Sequence, residues 1–150
     1  MWCFVDLEKA FDTVNHAILT NKLQHYCMNG KTNDWIRSNI TDRSQKVNDN
    51  GETSTASKVT FGVPQGSILG PLLFIIYINE MHSAVSKSTV YHYADVTNLL
   101  YYNKESKQLT KVMKRYLTTL YDWLCANRLS LNVAKTKFTI FKLPHKVFLE

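Results

Sequence analysis

Asp6 and Asp95 each close a short apolar run, Phe4-Val5 before the first and Tyr91-His92-Tyr93-Ala94 before the second. A carboxylate at the end of a buried strand is fixed in position yet can face a cleft. Two such groups side by side repel each other unless a cation lies between them. Magnesium suits that arrangement, because it takes one or two protein carboxylates and leaves its other positions to water and substrate phosphates. Taken singly, each acid also fits a plainer role: Asp6 as a cap for the helix that follows, Asp95 as the start of a hairpin turn.

The elements that must carry these acids follow from the hydrophobic pattern. Trp2-Cys3-Phe4-Val5-Asp6 reads as a buried strand. Asp12 or Thr13 can cap a helix with apolar positions Val14, Ala17/Ile18 and Tyr26, and Gly30 is its stop. A short helix over Asp34 to Ile40 carries Trp35 and Ile36. Gln45–Asn48 and Ser57–Phe61 can pair as a hairpin around Asn50-Gly51. Gly62-Val63-Pro64-Gln65-Gly66 is too rich in glycine and proline for helix or central strand, and Ser67 can cap an apolar helix ending near Met81. Val90–Tyr93 and Asn98–Tyr102 read as strands around a tight Asp95–Thr97 turn. Leu109, Val112/Met113, Tyr116/Leu117, Leu120 and Trp123/Leu124 form one helical stripe with Asn127 as its stop. Leu129–Leu131 and Phe138–Phe141 close the chain around a polar turn. The pattern predicts an α+β domain: a small, mostly antiparallel sheet with helices packed on one face.

Composition narrows the classes. With 150 residues, 45% hydrophobic and 20% charged, the chain fits one ordinary globular domain and neither a disordered nor a fibrous protein. Three scattered cysteines make no disulfide framework and no zinc cluster, so a reducing intracellular compartment, nucleus or cytoplasm, is expected. The longest apolar stretch, Ile68 to Ile78, is too short for a bilayer and is broken by Gly70-Pro71, so no membrane partner is expected. No signal-peptide pattern is read at Met1. Charge is uneven: residues 1–75 carry seven Lys/Arg against seven Asp/Glu, whereas residues 76–150 carry eleven against five and account for the whole +6. A basic, tyrosine-bearing half suits a polyanion, but on charge alone a solvated helix face is the favoured reading.

The order of four segments decides between these readings. Phe4-Val5-Asp6-Leu7-Glu8-Lys9-Ala10-Phe11-Asp12 is followed by Gly62-Val63-Pro64-Gln65-Gly66-Ser67. Tyr93-Ala94-Asp95 comes next, and Leu129-Ser130-Leu131-Asn132-Val133-Ala134-Lys135-Thr136-Lys137 last. This series resembles the palm domain of reverse transcriptases, most closely those of non-LTR (LINE-type, jockey-like) retrotransposons, from Phe4 to about Lys142. The resemblance implies a palm-like fold spanning residues 1–150, with most of the fingers and the thumb outside the chain. It implies that Asp6 and Asp95 hold two magnesium ions for RNA-templated DNA synthesis, with an RNA template, a DNA primer and deoxynucleoside triphosphates as partners. Phe11 would lie beneath the sugar and exclude a ribose 2′-hydroxyl, and Gln65 and Gly66 would lie against the incoming nucleotide and the template strand. Lys135 would serve the departing pyrophosphate.

One departure stands out. The family pattern at the third motif ends in two aspartates, and here the second position is Val96. Valine ligates no metal, so the chain is expected to polymerise poorly or not at all. The alternatives are a catalytically dead remnant of a mobile element and a module that keeps only nucleic-acid binding.

Overall fold

The computed structural model describes residues 1–85, 88–93 and 95–141. Ala94 of the third motif and Lys142, at the end of the family likeness, lie outside these. The elements in chain order are β1 (Trp2–Glu8), α1 (His16–His25), α2 (Lys31–Ile40), β2 (Arg43–Gln45), β3 (Asn48–Asp49), β4 (Glu52–Thr53), β5 (Ser57–Val59) and α3 (Leu69–Ile78). A 3-10 segment (Asn79–Val85) follows, then β6 (Thr89–Tyr93), β7 (Val96–Leu100), α4 (Ser106–Ala126), β8 (Ser130–Leu131) and β9 (Lys137–Thr139). They form two compact units, one joining Met1–Lys9 to the chain from Asn79 onward, the other Ala10–Ile78.

In the first unit β1 is the central strand of an antiparallel sheet ordered β6-β7-β1-β8, with β9 also paired to β1. Cys3, Val5 and Leu7 are buried while Phe4 and Glu8 are exposed, a period of two that turns one face inward. The register places Thr97 opposite Val5 and Leu99 opposite Cys3, so the buried face continues across β7. The Thr97 hydroxyl donates to Met81 Sδ at 3.5 Å, which seats the 3-10 segment on that face. Leu109, Met113, Tyr116, Leu120 and Leu124 of α4 are all buried, in steps of three and four residues. The helix ends where expected, at Asn127, whose side-chain amide donates to Trp123 O at 2.9 Å. The α+β expectation therefore holds, with helical packing on one sheet face.

The expected hairpin turn is displaced. Tyr93 pairs with Val96 and His92 with Thr97, so Val96 and Thr97 belong to β7, and of the expected turn residues Asp95 alone stays outside the strands. Valine and threonine are β-branched and fit a pleated strand better than a turn.

In the second unit the first helix is capped by Asn15, not by Asp12 or Thr13: Ile18 N donates to Asn15 Oδ1 at 3.1 Å. Its inward face is His16, Leu19, Lys22 and Leu23, with Ala17 exposed, so the expected apolar stripe was one position out of phase. The helix ends at His25, and Gly30 instead precedes α2, extending that helix back from Asp34 to Lys31. The predicted hairpin divides into two nested ladders, β2 with β5 and β3 with β4. Asn50 and Gly51 turn the inner one with φ of 49° and 89°, the backbone a two-residue hairpin turn requires. Ser67 does cap α3, its Oγ accepting from Gly70 N at 2.9 Å. That helix ends at Ile78, before the 3-10 segment.

Candidate functional site

Asp6 lies near the end of β1, directly opposite Val96. Asp95 is the residue before Val96, in the tight turn from β6 to β7, so the ladder sets the two acids at adjoining strand tips. Both are partly exposed, and facing pairs share a side of the sheet, so Asp6 projects from the side opposite the buried Val5 and Leu7.

The other edge of β1 fixes Asp6 through its main chain. Its partner strand changes there, from β9 opposite Trp2–Phe4 to β8 opposite Leu7–Glu8. The turn between those strands bridges the gap. Asn132 N donates to Asp6 O at 2.9 Å, and Asp6 N donates to Thr136 Oγ1 at 3.3 Å. Lys135 is in this same turn, where its N–H donates to Asn132 Oδ1 at 3.2 Å and its side chain is exposed. Thr136 and Asn132 were not singled out from sequence; a hydroxyl acting across 130 residues leaves no local signal.

The second unit gathers the remaining predicted residues. Phe11, Gln65 and Gly66 line one cavity of about 200 Å³ together with Pro64 and Pro71. The Phe11 ring packs on Phe74, with centroids 4.6 Å apart. Backbone bonds clamp the Phe11–Val14 segment to the loop before Gln65: Val63 N donates to Phe11 O and Gly62 N to Val14 O, both at 2.8 Å. The His16 ring, buried beside them, donates through Nε2 to Gly62 O at 2.7 Å. Gly62 has φ +86°, and a Cβ there would lie 3.0 Å from Asp12 Cα and O. Gln65 Nε2 then donates to Asp12 Oδ1 at 2.7 Å. A carboxylate only accepts, so this bond orients the amide and leaves the Gln65 carbonyl oxygen to accept elsewhere. Asp12, expected as a cap, is instead the anchor of Gln65.

His92, beside the turn that carries Asp95, has its pKa lowered from 6.5 by burial and secondarily by the charge of His82. Its Nδ1 lies 3.0 Å from Thr97 Oγ1. As for a metal, two carboxylates at adjoining strand tips are the donor set that magnesium takes, with water and phosphate completing its shell. Among the described residues no third acid, histidine or cysteine joins a cluster with them.

An antiparallel sheet that sets two acids at adjoining tips, with helices over its other face, has the architecture of a polymerase palm. The chain belongs to the reverse transcriptase (RNA-dependent DNA polymerase) family, whose match covers residues 1–147. It is 32% identical over 147 residues to the probable RNA-directed DNA polymerase from transposon BS of Drosophila melanogaster, covering 93% of this chain and 16% of that protein. It is 29% identical over 140 residues to the RNA-directed DNA polymerase from mobile element jockey of Drosophila funebris, covering 89% of this chain and 15% of that protein. The chain thus spans about a sixth of the length of these relatives. Its fold is similar to that of telomerase from Candida tropicalis, solved with a fragment of telomeric RNA, with a TM-score of 0.68 and 16% identity. That likeness covers 91% of this chain and 25% of the telomerase chain.

Proposed function

We infer that this chain is the palm portion of an RNA-directed DNA polymerase of a non-LTR mobile element, with its turnover weakened by Val96. The observation that carries the reading is the β1–β7 register, in which Asp6 faces Val96 and Asp95 is the adjacent residue. Asp6 and Asp95 would hold magnesium, which when bound lowers the pKa of a hydroxyl nucleophile and neutralises charge on transferring phosphates. Asn132 and Thr136 hold the Asp6 main chain and so set where its carboxylate stands. Phe11 would close the floor of the nucleotide cavity and exclude a 2′-hydroxyl. Gln65, oriented by Asp12, would accept from a sugar hydroxyl, and Gly66 would let the ligand approach the backbone. Lys135 would supply a cation to the leaving pyrophosphate. RNA template, DNA primer and deoxynucleoside triphosphates are the partners this assignment requires.

A second reading, a nucleic-acid-binding module without turnover, is favoured by Val96 itself, because it removes one negative charge from the cation site. Primer extension on an RNA template separates the two, comparing the chain with Val96→Asp and Asp6→Asn variants, each within the complete enzyme. The polymerase reading expects Val96→Asp to raise the rate over a hundredfold, equivalent to about 3 kcal/mol of transition-state stabilisation, and Asp6→Asn to abolish it. Equal rates for all three would sink it.

A further inference from the structure

We propose that the cavity bounded by β2, β5 and the loop over residues 60–65 takes one nucleotide of a single-stranded polynucleotide, with Arg43 and Lys58 on its phosphodiester and Phe61 under its base. The proposal rests on the nucleic-acid role inferred above and gives the strand a place on the second unit. The cavity has a volume of about 510 Å³, inside the range of roughly 300–1,000 Å³ typical of small-ligand sites. It is distinct from the smaller cavity of Phe11, although Pro64 and Gln65 border both.

The lining supplies each part of a nucleotide with a partner. Arg43 is partly buried on the lining, and its guanidinium is a planar fork able to take two phosphate oxygens. Lys58, on the paired strand β5, adds a second cation. Phe61 is 48% exposed although its backbone is held by a bridge to Asn15, so an aromatic ring is presented to solvent from a fixed position. Any base can stack on such a ring, because every base has a π-face. Gln45 contributes an amide that both donates and accepts.

Charge selects the class of ligand. Asp12 is the only carboxylate on this lining and already accepts from Gln65, so two cations face one anion. A net charge of one matches one phosphodiester. It does not match a free triphosphate, which carries several negative charges.

The test is fluorescence anisotropy of labelled single-stranded RNA and DNA oligonucleotides on the full chain, across a salt series. Arg43→Gln and Lys58→Gln are each expected to flatten the slope of log K against log salt by about 0.7. Phe61→Ala is expected to weaken binding about tenfold with the slope unchanged. Lys111→Gln, the same charge loss on α4, should leave affinity and slope as they were. Equal effects on RNA and DNA assign recognition to backbone and base face; an effect on RNA alone assigns it to the template, and either supports the site. Arg43→Lys keeps the charge without the fork and covers the case in which the glutamine variant unfolds. Wild-type affinity and slope in the Arg43→Gln/Lys58→Gln double variant would overturn the proposal. So would an equal flattening by Lys111→Gln, or loss of deoxynucleoside triphosphate binding with oligonucleotide binding intact. Primer extension decides the polymerase reading separately, so the two can fail independently.

Discussion

Val96 stands across the β1–β7 ladder from Asp6, on the same side of the sheet. Facing residues in an antiparallel pair have Cβ atoms about 4.5–5.5 Å apart, so a carboxylate at position 96 would share a cation with Asp6. Val96→Asp is therefore expected to tighten magnesium or manganese binding at least ~10-fold by calorimetric titration. Without divalent cations the same variant should melt earlier, because like charges would then face each other. Unchanged metal affinity would count against the shared site.

Thr136 offers a second handle on Asp6. Its hydroxyl accepts from Asp6 N where the neighbouring strand changes from β9 to β8. Thr136→Val keeps the shape and removes the acceptor, at an expected cost of about 0.5–1.5 kcal/mol in urea unfolding. Hydrogen exchange should quicken at the Asp6 amide, and an unaltered exchange rate there would refute the anchoring role.

Gly62 joins left-handed backbone, with φ +86°, to the absence of space over Asp12. Gly62→Ala is expected to destabilise the fold by about 1–3 kcal/mol. The side-chain amide of Gln65 should lose its Asp12 partner, which NMR would register as a shifted resonance. A neutral substitution would show that the Phe11–Val14 segment yields easily.

His92 gives a pH signature. Its folded pKa is lowered from 6.5, so the unfolded chain takes up the proton first as pH falls. Stability contributed by the neutral ring is complete above the unfolded value and declines as pH drops below about 6.5. Urea midpoints at pH 7.5 and 5 should differ in that direction, and His92→Gln should reduce the difference.

The legible parts of this fold are those whose signal is local. The α4 stripe from Leu109 to Leu124 repeats at helical spacing and is sealed by Asn127, and β1 announces itself as a short apolar run ending in an acid. Asp6, Asp95 and the loop holding Gln65 were found through motif order, and the register brings the first two together. What escaped depended on distant partners. Asp12 fits a cap by type, yet Gln65, 53 residues away, takes its carboxylate, and Asn15 caps α1 instead. Thr136 has the same history. The misplaced Asp95–Thr97 turn is a different case: the β-branched pair Val96-Thr97 was a usable local cue for strand.

The strand order among the described residues ends at β6, whose sequence Thr-Val-Tyr-His-Tyr contains no proline and no acidic or strongly basic residue, with Tyr91 and Tyr93 56% and 82% exposed. Natural sheets usually blunt such a border with lysine, proline or a bulge. Among the described residues no strand pairs with the outer edge of β6, so intermolecular strand addition is expected there, through the very hairpin that carries Asp95. Light scattering of the chain is expected to show mass rising with concentration, and Tyr91→Lys to hold it at the monomer value. A mass independent of concentration would mean that the border is protected.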